Sequence, residues 1–208
     1  WQGVTIKKSY ATNTNDEVLI WTYTPPTSDY PMGLVASSSD YEAGALSKNV
    51  VTDEHGNDVI EYVEKQGKVV LKRVQVADDL LDGEAPPIDD ANYASTYYIY
   101  DDFGSLICVI QPEGVKNIVD YFNDNDNGNN GFLERWAFRY RYDGRKRMIM
   151  KQVPGAAPVF MVYDDRDRLV LTQDGNQRAN ALWTFTKYDD LNRPILTGIK
   201  DSVTVNPL

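Results

Sequence analysis

Between Phe138 and Ile199 the chain states one pattern three times, and this repetition restricts its fold more than any other feature. The copies open as Phe-Arg-Tyr-Arg-Tyr-Asp at Phe138, Phe-Met-Val-Tyr-Asp-Asp at Phe160 and Phe-Thr-Lys-Tyr-Asp-Asp at Phe185. Each is a β-forming run ending in Tyr-Asp, followed by a short polar turn, an arginine (Arg147, Arg168 or Arg193) and a second apolar run. Tyr142, Tyr163 and Tyr188 are 21 and 25 residues apart. A unit of that length is one hairpin-sized piece that cannot bury its apolar face alone, so copies have to stack. The fold class that follows is all-β: stacked antiparallel β-hairpins forming a twisted, curved sheet.

The same idea recurs upstream. Tyr97-Tyr98-Ile99-Tyr100-Asp101-Asp102-Phe103-Gly104 runs into the apolar stretch Leu106 to Ile110. Weaker forms surround Asp53-Glu54-His55-Gly56 and Glu64-Lys65-Gln66-Gly67, where Gly stands three residues after the acid. Glycine there can take the positive φ that three-to-five-residue hairpin loops require. Tyr62 to Tyr100 is 38 residues and Tyr100 to Tyr142 is 42, each about two repeat lengths. In every copy the aspartate can accept hydrogen bonds from turn amides. The Gly104, Asp167 or Asn192 position suits left-handed backbone. The tyrosine is expected to stack its ring on the ring one layer away. The following arginine can pair with a turn carboxylate.

Outside the repeats the signals are weaker. Val4 to Tyr10 and Val18 to Tyr23 are β-rich and flank the turn-like Thr12-Asn13-Thr14-Asn15-Asp16, which predicts an N-terminal hairpin. Residues 25–45 read as an irregular loop with a short strand near Gly33-Leu34-Val35-Ala36, and 77–95 as an acidic, Pro-rich loop. Val115, Ile118, Val119 and Phe122 follow Pro112 at helical spacing, which predicts one short helix over 113–122. Trp136 then restarts β structure. The organisation expected is residues 1–45 packing on the repeats, 46–200 as the repeat sheet and 201–208 as a tail.

Composition bears on function by exclusion. The net charge of −10 repels phosphate backbones, so nucleic acid is not an expected partner. No apolar run reaches the ~18 residues of a membrane span. Cys108, the one cysteine, sits in the apolar run Leu106 to Ile110 and reads as a small buried hydrophobe. His55, the one histidine, lies in the turn-like stretch Asp53 to Asn57 and reads as a solvated turn residue, not a base or ligand. The Asp-Asp pairs (Asp101-Asp102, Asp164-Asp165, Asp189-Asp190) recur with the repeat, and adjacent strand-end residues diverge, so turn formation explains them better than acid–base work. No Gly-rich phosphate loop, Cys/His set or Ser/His triad is present. These readings name no catalytic, cofactor or metal residue and predict a chain that is not an enzyme. Asn123, Asn125, Asn127, Asn129 and Glu134 around Gly128 have EF-hand-like spacing, but the first ligand should be Asp, and the exiting element reads as strand. The chain begins with Trp1, which implies that it is cut from something longer.

The repeats resemble the Rhs, or YD-repeat, family, whose motif has the form Tyr-x-Tyr-Asp-x-x-Gly-Arg-Leu. The best matches are Tyr98 to Leu106 and Tyr140 to Met148. Wording between the repeats, such as Val153-Pro154-Gly155-Ala156, Leu171 to Arg178 and Leu196-Thr197-Gly198-Ile199, is similar to the large Rhs-type proteins of Bacteroidetes. The resemblance covers about residues 45–200. It implies a curved β-sheet shell that encloses or presents a downstream toxin or effector domain, in a secreted or cell-surface protein whose partners are other segments of the same long chain. The family's aspartate self-cleavage near Asp-Pro-x-Gly-Leu is not carried over, because this sequence holds no Asp-Pro dipeptide. Gly104 is the only Gly in its place among the last four copies, and Pro194 stands where the motif has an aliphatic residue, so those turns are expected to differ in type. The rival reading is a carbohydrate-binding surface module, with Trp21, Trp136, Trp183 or the tyrosines stacking on a surface glycan. A shell segment would also leave sheet edges open to association.

Overall fold

The computed structural model describes residues 5–27, 33–76, 92–123 and 131–201. Of the expected 77–95 loop, residues 77–91 lie outside them, and Tyr93, Ala94 and Ser95 are strand instead of loop. The chain divides into two compact units, residues 1–137 and 138–208. The architecture is all-β with short helices, and within each unit the paired strands are antiparallel among the described residues.

In the first unit, β1 (Lys7–Thr12), β4 (Ser47–Thr52), β5 (Asp58–Val63), β6 (Val69–Gln75), β7 (Tyr93–Tyr100) and β8 (Leu106–Ile110) hydrogen-bond in that order. A second ribbon pairs β2 (Leu19–Thr24) with β3 (Leu34–Asp40). The two N-terminal runs are therefore strands, but they do not form a hairpin with each other. Asn13 is the reason the expected turn does not close. Its buried amide donates to the Thr14, Tyr41 and Glu42 carbonyls and accepts from the Leu46 amide, so it ties the chain to the segment before β4. The short strand expected near Gly33-Leu34-Val35-Ala36 is β3, which runs on to Asp40 through residues read as irregular loop.

Period-2 alternation is strict in β7, where Tyr93, Ser95, Tyr97 and Ile99 are buried. Ribbon β2–β3 packs over that face. Trp21 meets Tyr97 edge-on with centroids 5.8 Å apart, and the Leu19 amide donates to the Tyr97 hydroxyl. Burial pushes that phenol up to about 12.

The expected single helix is broken at Asn117 into α1 (Pro112–Lys116) and α2 (Ile118–Asn123). The Asn117 amide Nδ2 donates to the Glu113 carbonyl and competes with helix continuation. The break rotates the apolar face: Val115, Ile118 and Tyr121 are buried, whereas Val119 and Phe122 are exposed. Gly114 lets α1 approach α3 (Gly131–Trp136), since a Cβ there would stand 2.7 Å from the Trp136 Cβ. The residues leaving the Asn-rich loop are thus a helix, not a strand. Residues 124–130, the heart of the EF-hand-like reading, lie outside the described residues. Cys108 is fully buried.

The second unit is a meander of β9 (Ala137–Tyr142), β10 (Met148–Gln152), β11 (Val159–Tyr163), β12 (Leu169–Gln173), β13 (Leu182–Tyr188) and β14 (Pro194–Asp201), with β9 starting on the last residue of the first unit. Helix α4 (Gly175–Ala179) is closed by a capping box between Asp174 and Gln177. Met150, Phe160 and Trp183 are buried, whereas β14 is exposed along nearly its whole length.

Candidate functional site

Among the described residues, six turns share one hydrogen-bond pattern, starting at Asp53, Glu64, Asp101, Asp143, Asp164 and Asp189. The first residue's amide donates to the carbonyl four residues on, and its carbonyl accepts from the amide three residues on. That third residue is left-handed in every case: Gly56, Gly67 and Gly104, but also Lys146, Asp167 and Asn192 at φ of 61°, 60° and 62°. The turns without glycine are therefore of the same type as those with it, contrary to expectation. In the five turns that begin with aspartate, one carboxylate oxygen accepts from the amides two and four residues on. Those bonds satisfy the loop locally and hold the carboxylate's place.

Successive turns are linked by the basic residue. Arg147 Nε donates to Asp143 of its own turn, and Nη1 donates forward to the Asp164 carbonyl at 3.1 Å and to Asp167 Oδ1 at 2.7 Å. Arg168 repeats this with Asp164 behind and the Asp189 carbonyl and Asn192 Oδ1 ahead. Each guanidinium also lies over the next tyrosine, Arg147 at 4.9 Å from the Tyr163 centroid and Arg168 at 5.0 Å from that of Tyr188. Those tyrosines donate to the carbonyls just after the arginines, Tyr163 to Met148 and Tyr188 to Leu169, each at 2.9 Å. Tyr100 does the same in the first unit, with its hydroxyl on the Val69 carbonyl and Lys68 over its ring. The expected ring-on-ring stacking is thus replaced at Tyr100, Tyr163 and Tyr188 by cation-on-ring stacking. A planar guanidinium can bridge two turns while covering a ring, which a second phenol could not do.

The arginines and turn amides hold the Asp164 carboxyl below the usual carboxylate range, with the Arg168 side chain as the largest cause. At Asp189 the Arg193 amide contributes most to the same direction. Asp164→Ala should lower the melting temperature, whereas Asp165→Ala, which removes a carboxylate with no turn bond, should leave it unchanged. Equal effects in thermal denaturation would show that the turn carboxylate has no special role.

The first unit holds a buried polar cluster. Glu17 Oε1 receives the Lys48 ammonium and the Tyr62 hydroxyl, both at 2.6 Å, and Oε2 receives the Thr14 amide at 2.7 Å. Arg73, fully buried, donates to the Glu17 carbonyl and lies over the Tyr62 ring. Burial alone would raise the Glu17 carboxyl, but the bonds from Lys48, Tyr62 and Thr14 outweigh it and hold the group below 4.5. Burial drives the Tyr62 phenol far above its ordinary value. A depressed carboxyl stabilises the fold above its unfolded value, and that stabilisation is lost as pH falls through the folded value. From neutral pH down to 4.5 the melting temperature should therefore hold level, and below 4.5 it should drop. A flat profile into strong acid would contradict the cluster.

Beside ribbon β2–β3 a cleft of about 270 Å³ is lined by Trp21, Tyr41, Tyr98 and Tyr100 with Glu64, Lys68, Asp101 and Asp102. The buried Trp21 Nε1 has no hydrogen-bond partner among the described residues. Aromatic faces beside carboxylates and an amine can accommodate a small polyhydroxylated ligand. Of the tryptophans named from sequence as stacking candidates, Trp183 is core, Trp136 is half-buried at the end of α3, and only Trp21 lines the cleft. His55 is exposed in its turn, where its amide donates to Asp53. Sequence reasoning missed Tyr41 and Glu64 as neighbours of Trp21, since nothing local joins them. Among the described residues, no group of three His, Cys, Asp or Glu is placed to hold a metal, and no helix is long and apolar enough to cross a membrane.

Comparison of the sequence with protein-family models and with curated proteins finds no match. Solved structures do match in fold. The chain is similar to the crystal structure of TcdB2-TccC3-Cdc42, with a TM-score of 0.54 and 14% identity over 81% of this chain and 8% of that one. The TcdB2-TccC3-TEV crystal structure gives a TM-score of 0.53 at the same identity and coverage. A Tc holotoxin pore of Photorhabdus luminescens, carrying a TccC3 mutation, gives a TM-score of 0.54 at 10% identity over 96% of this chain and 12% of that one. The chain thus spans about a tenth of the length of these toxin-complex chains. The shared fold agrees with the Rhs-type fold implied by the repeats.

Proposed function

We propose that this chain is a non-enzymatic structural segment of a large, secreted or cell-surface Rhs-type protein, where it helps to scaffold, enclose or present a downstream effector domain. The observation that carries the reading is the ladder of turns joined by Arg147 and Arg168, in which the repeated side chains serve one another. Its polar groups are used in holding hairpins in register. The fold shared with toxin-complex chains supports the same reading. The test is limited proteolysis of the longer gene product. The segment downstream of the repeats should resist cleavage while the repeats are intact and be cut once they are unfolded by mild denaturant. A downstream segment equally sensitive in both states would overturn the proposal.

The cleft at Trp21 favours a second reading, a carbohydrate-binding module. A glycan array separates the two. Binding to a defined sugar that is lost in Tyr98→Ala would favour the module, and an array without binding would favour the shell.

A further inference from the structure

Three strand pairs in this chain obey one register rule, and the last strand is set up to obey it once more. Lys68, Arg147 and Arg168 are the basic residues that end their turns. The residue three positions after each, Leu71, Met150 or Leu171, pairs with an aromatic residue three positions before the next Tyr-Asp: Tyr97, Phe160 or Phe185. The residue four positions after, Lys72, Lys151 or Thr172, pairs with the one four positions before, Thr96, Val159 or Thr184. Side chain and backbone thus agree on where the incoming strand sits, since the same tyrosine lies beside the basic group and donates to the next carbonyl.

Arg193 closes the final turn in the same way, with Nε on Asp189 at 2.7 Å, but no later turn stands ahead of it among the described residues. Its side chain is 71% exposed, against 23% for Arg147 and 21% for Arg168. Leu196, three positions on, is 51% exposed, whereas at the matching place Leu71 and Met150 are fully buried and Leu171 is half-buried. Ile195 and Ile199 are exposed beside it on an edge strand. An apolar edge with free ladder groups is a template for another strand.

We infer that β14 is the acceptor edge for one further repeat hairpin of the same polypeptide, whose entering strand has the form aromatic-x-x-Tyr-Asp. Leu196 pairs with its aromatic residue and Thr197 with the residue before that. Its tyrosine ring covers Arg193, and its hydroxyl donates to the Pro194 carbonyl. The Asp carbonyl, and an Asp or Asn three residues later, accept from the Arg193 guanidinium. The inference rests on the shell reading for the source of the strand, while its chemistry comes from the three pairs above.

The test lengthens the full chain with a second copy of its own residues 174–201 placed after residue 201, and follows amide exchange by NMR. Exchange of the β14 amides that face the copy should slow at least about tenfold. Arg193→Ala, or Phe185→Ala in the second copy alone, should reverse that protection, and Arg193→Ala should lower the melting temperature more in the lengthened chain than in the native one. Unchanged exchange at β14 overturns the inference, and so does protection that survives both substitutions. A second copy that stays unfolded counts against it equally, since the same residues fold against β12 in the native chain. Concentration-dependent protection of β14 in the native chain, with a dimer seen by light scattering, would replace the repeat hairpin with another copy of the chain. None of these outcomes touches the protease protection that tests the shell itself.

Discussion

Replacing Glu17 by alanine should destabilise the first unit by about 3 kcal/mol, the lower part of the range for removing one member of a buried ion pair. The carboxylate is 1% exposed and serves Lys48, Tyr62 and the Thr14 amide together. Alanine leaves a buried phenol without its acceptor and a lysine whose side chain is 15% exposed without its counter-charge. Lys48 can partly recover water from that position, which is why the low end applies. Urea denaturation followed by hydrogen exchange should show the loss in strands β4 to β7, while Trp183 in the second unit reports an unchanged transition. Glu17→Gln keeps an acceptor and the volume, so it should lose less than alanine. If the two substitutions cost the same, packing and not charge holds the cluster, and the acid sensitivity expected above goes with it.

Leu71→Ala should cost about 3–5 kcal/mol, as full-depth leucine truncations do when the cavity cannot collapse. Leu71 is fully buried where β6 faces Tyr97 of β7. Leu196→Ala makes the identical chemical change at the matching place in the last repeat, where the side chain is half-exposed, and should stay within about 0.5 kcal/mol. The pair isolates burial from residue type. Equilibrium unfolding in urea measures both. A large loss from Leu196→Ala would mean that β14 is already covered in solution, and the acceptor edge would then be closed.

The turn chemistry was legible in the sequence because it is local. An aspartate that accepts from amides two and four residues on needs only its own loop, so Asp53, Asp101, Asp143, Asp164 and Asp189 announce themselves. Lys146 marks the limit of that reading. Lysine carries no signal for left-handed backbone, yet it adopts φ of 61° because the flanking strands impose the turn. The aromatic residue three before Tyr-Asp was also present to be noticed at Tyr97, Phe160 and Phe185, but its meaning appears only with the register of the partner strand.

By itself, then, the sequence determined that this chain is β, that it is built from hairpins with one turn type, and which residues close each loop. Those properties depend on contacts within a few residues and on period-2 burial. Only the tertiary structure decided that β1 pairs with β4, that Asn13 ties a would-be turn to Leu46, that Asn117 splits the helix, and that Glu17 meets Lys48, Tyr62 and Arg73. It also decided the second partner of each arginine. Such choices join residues distant along the chain, and their energies depend on burial and geometry that no local pattern contains.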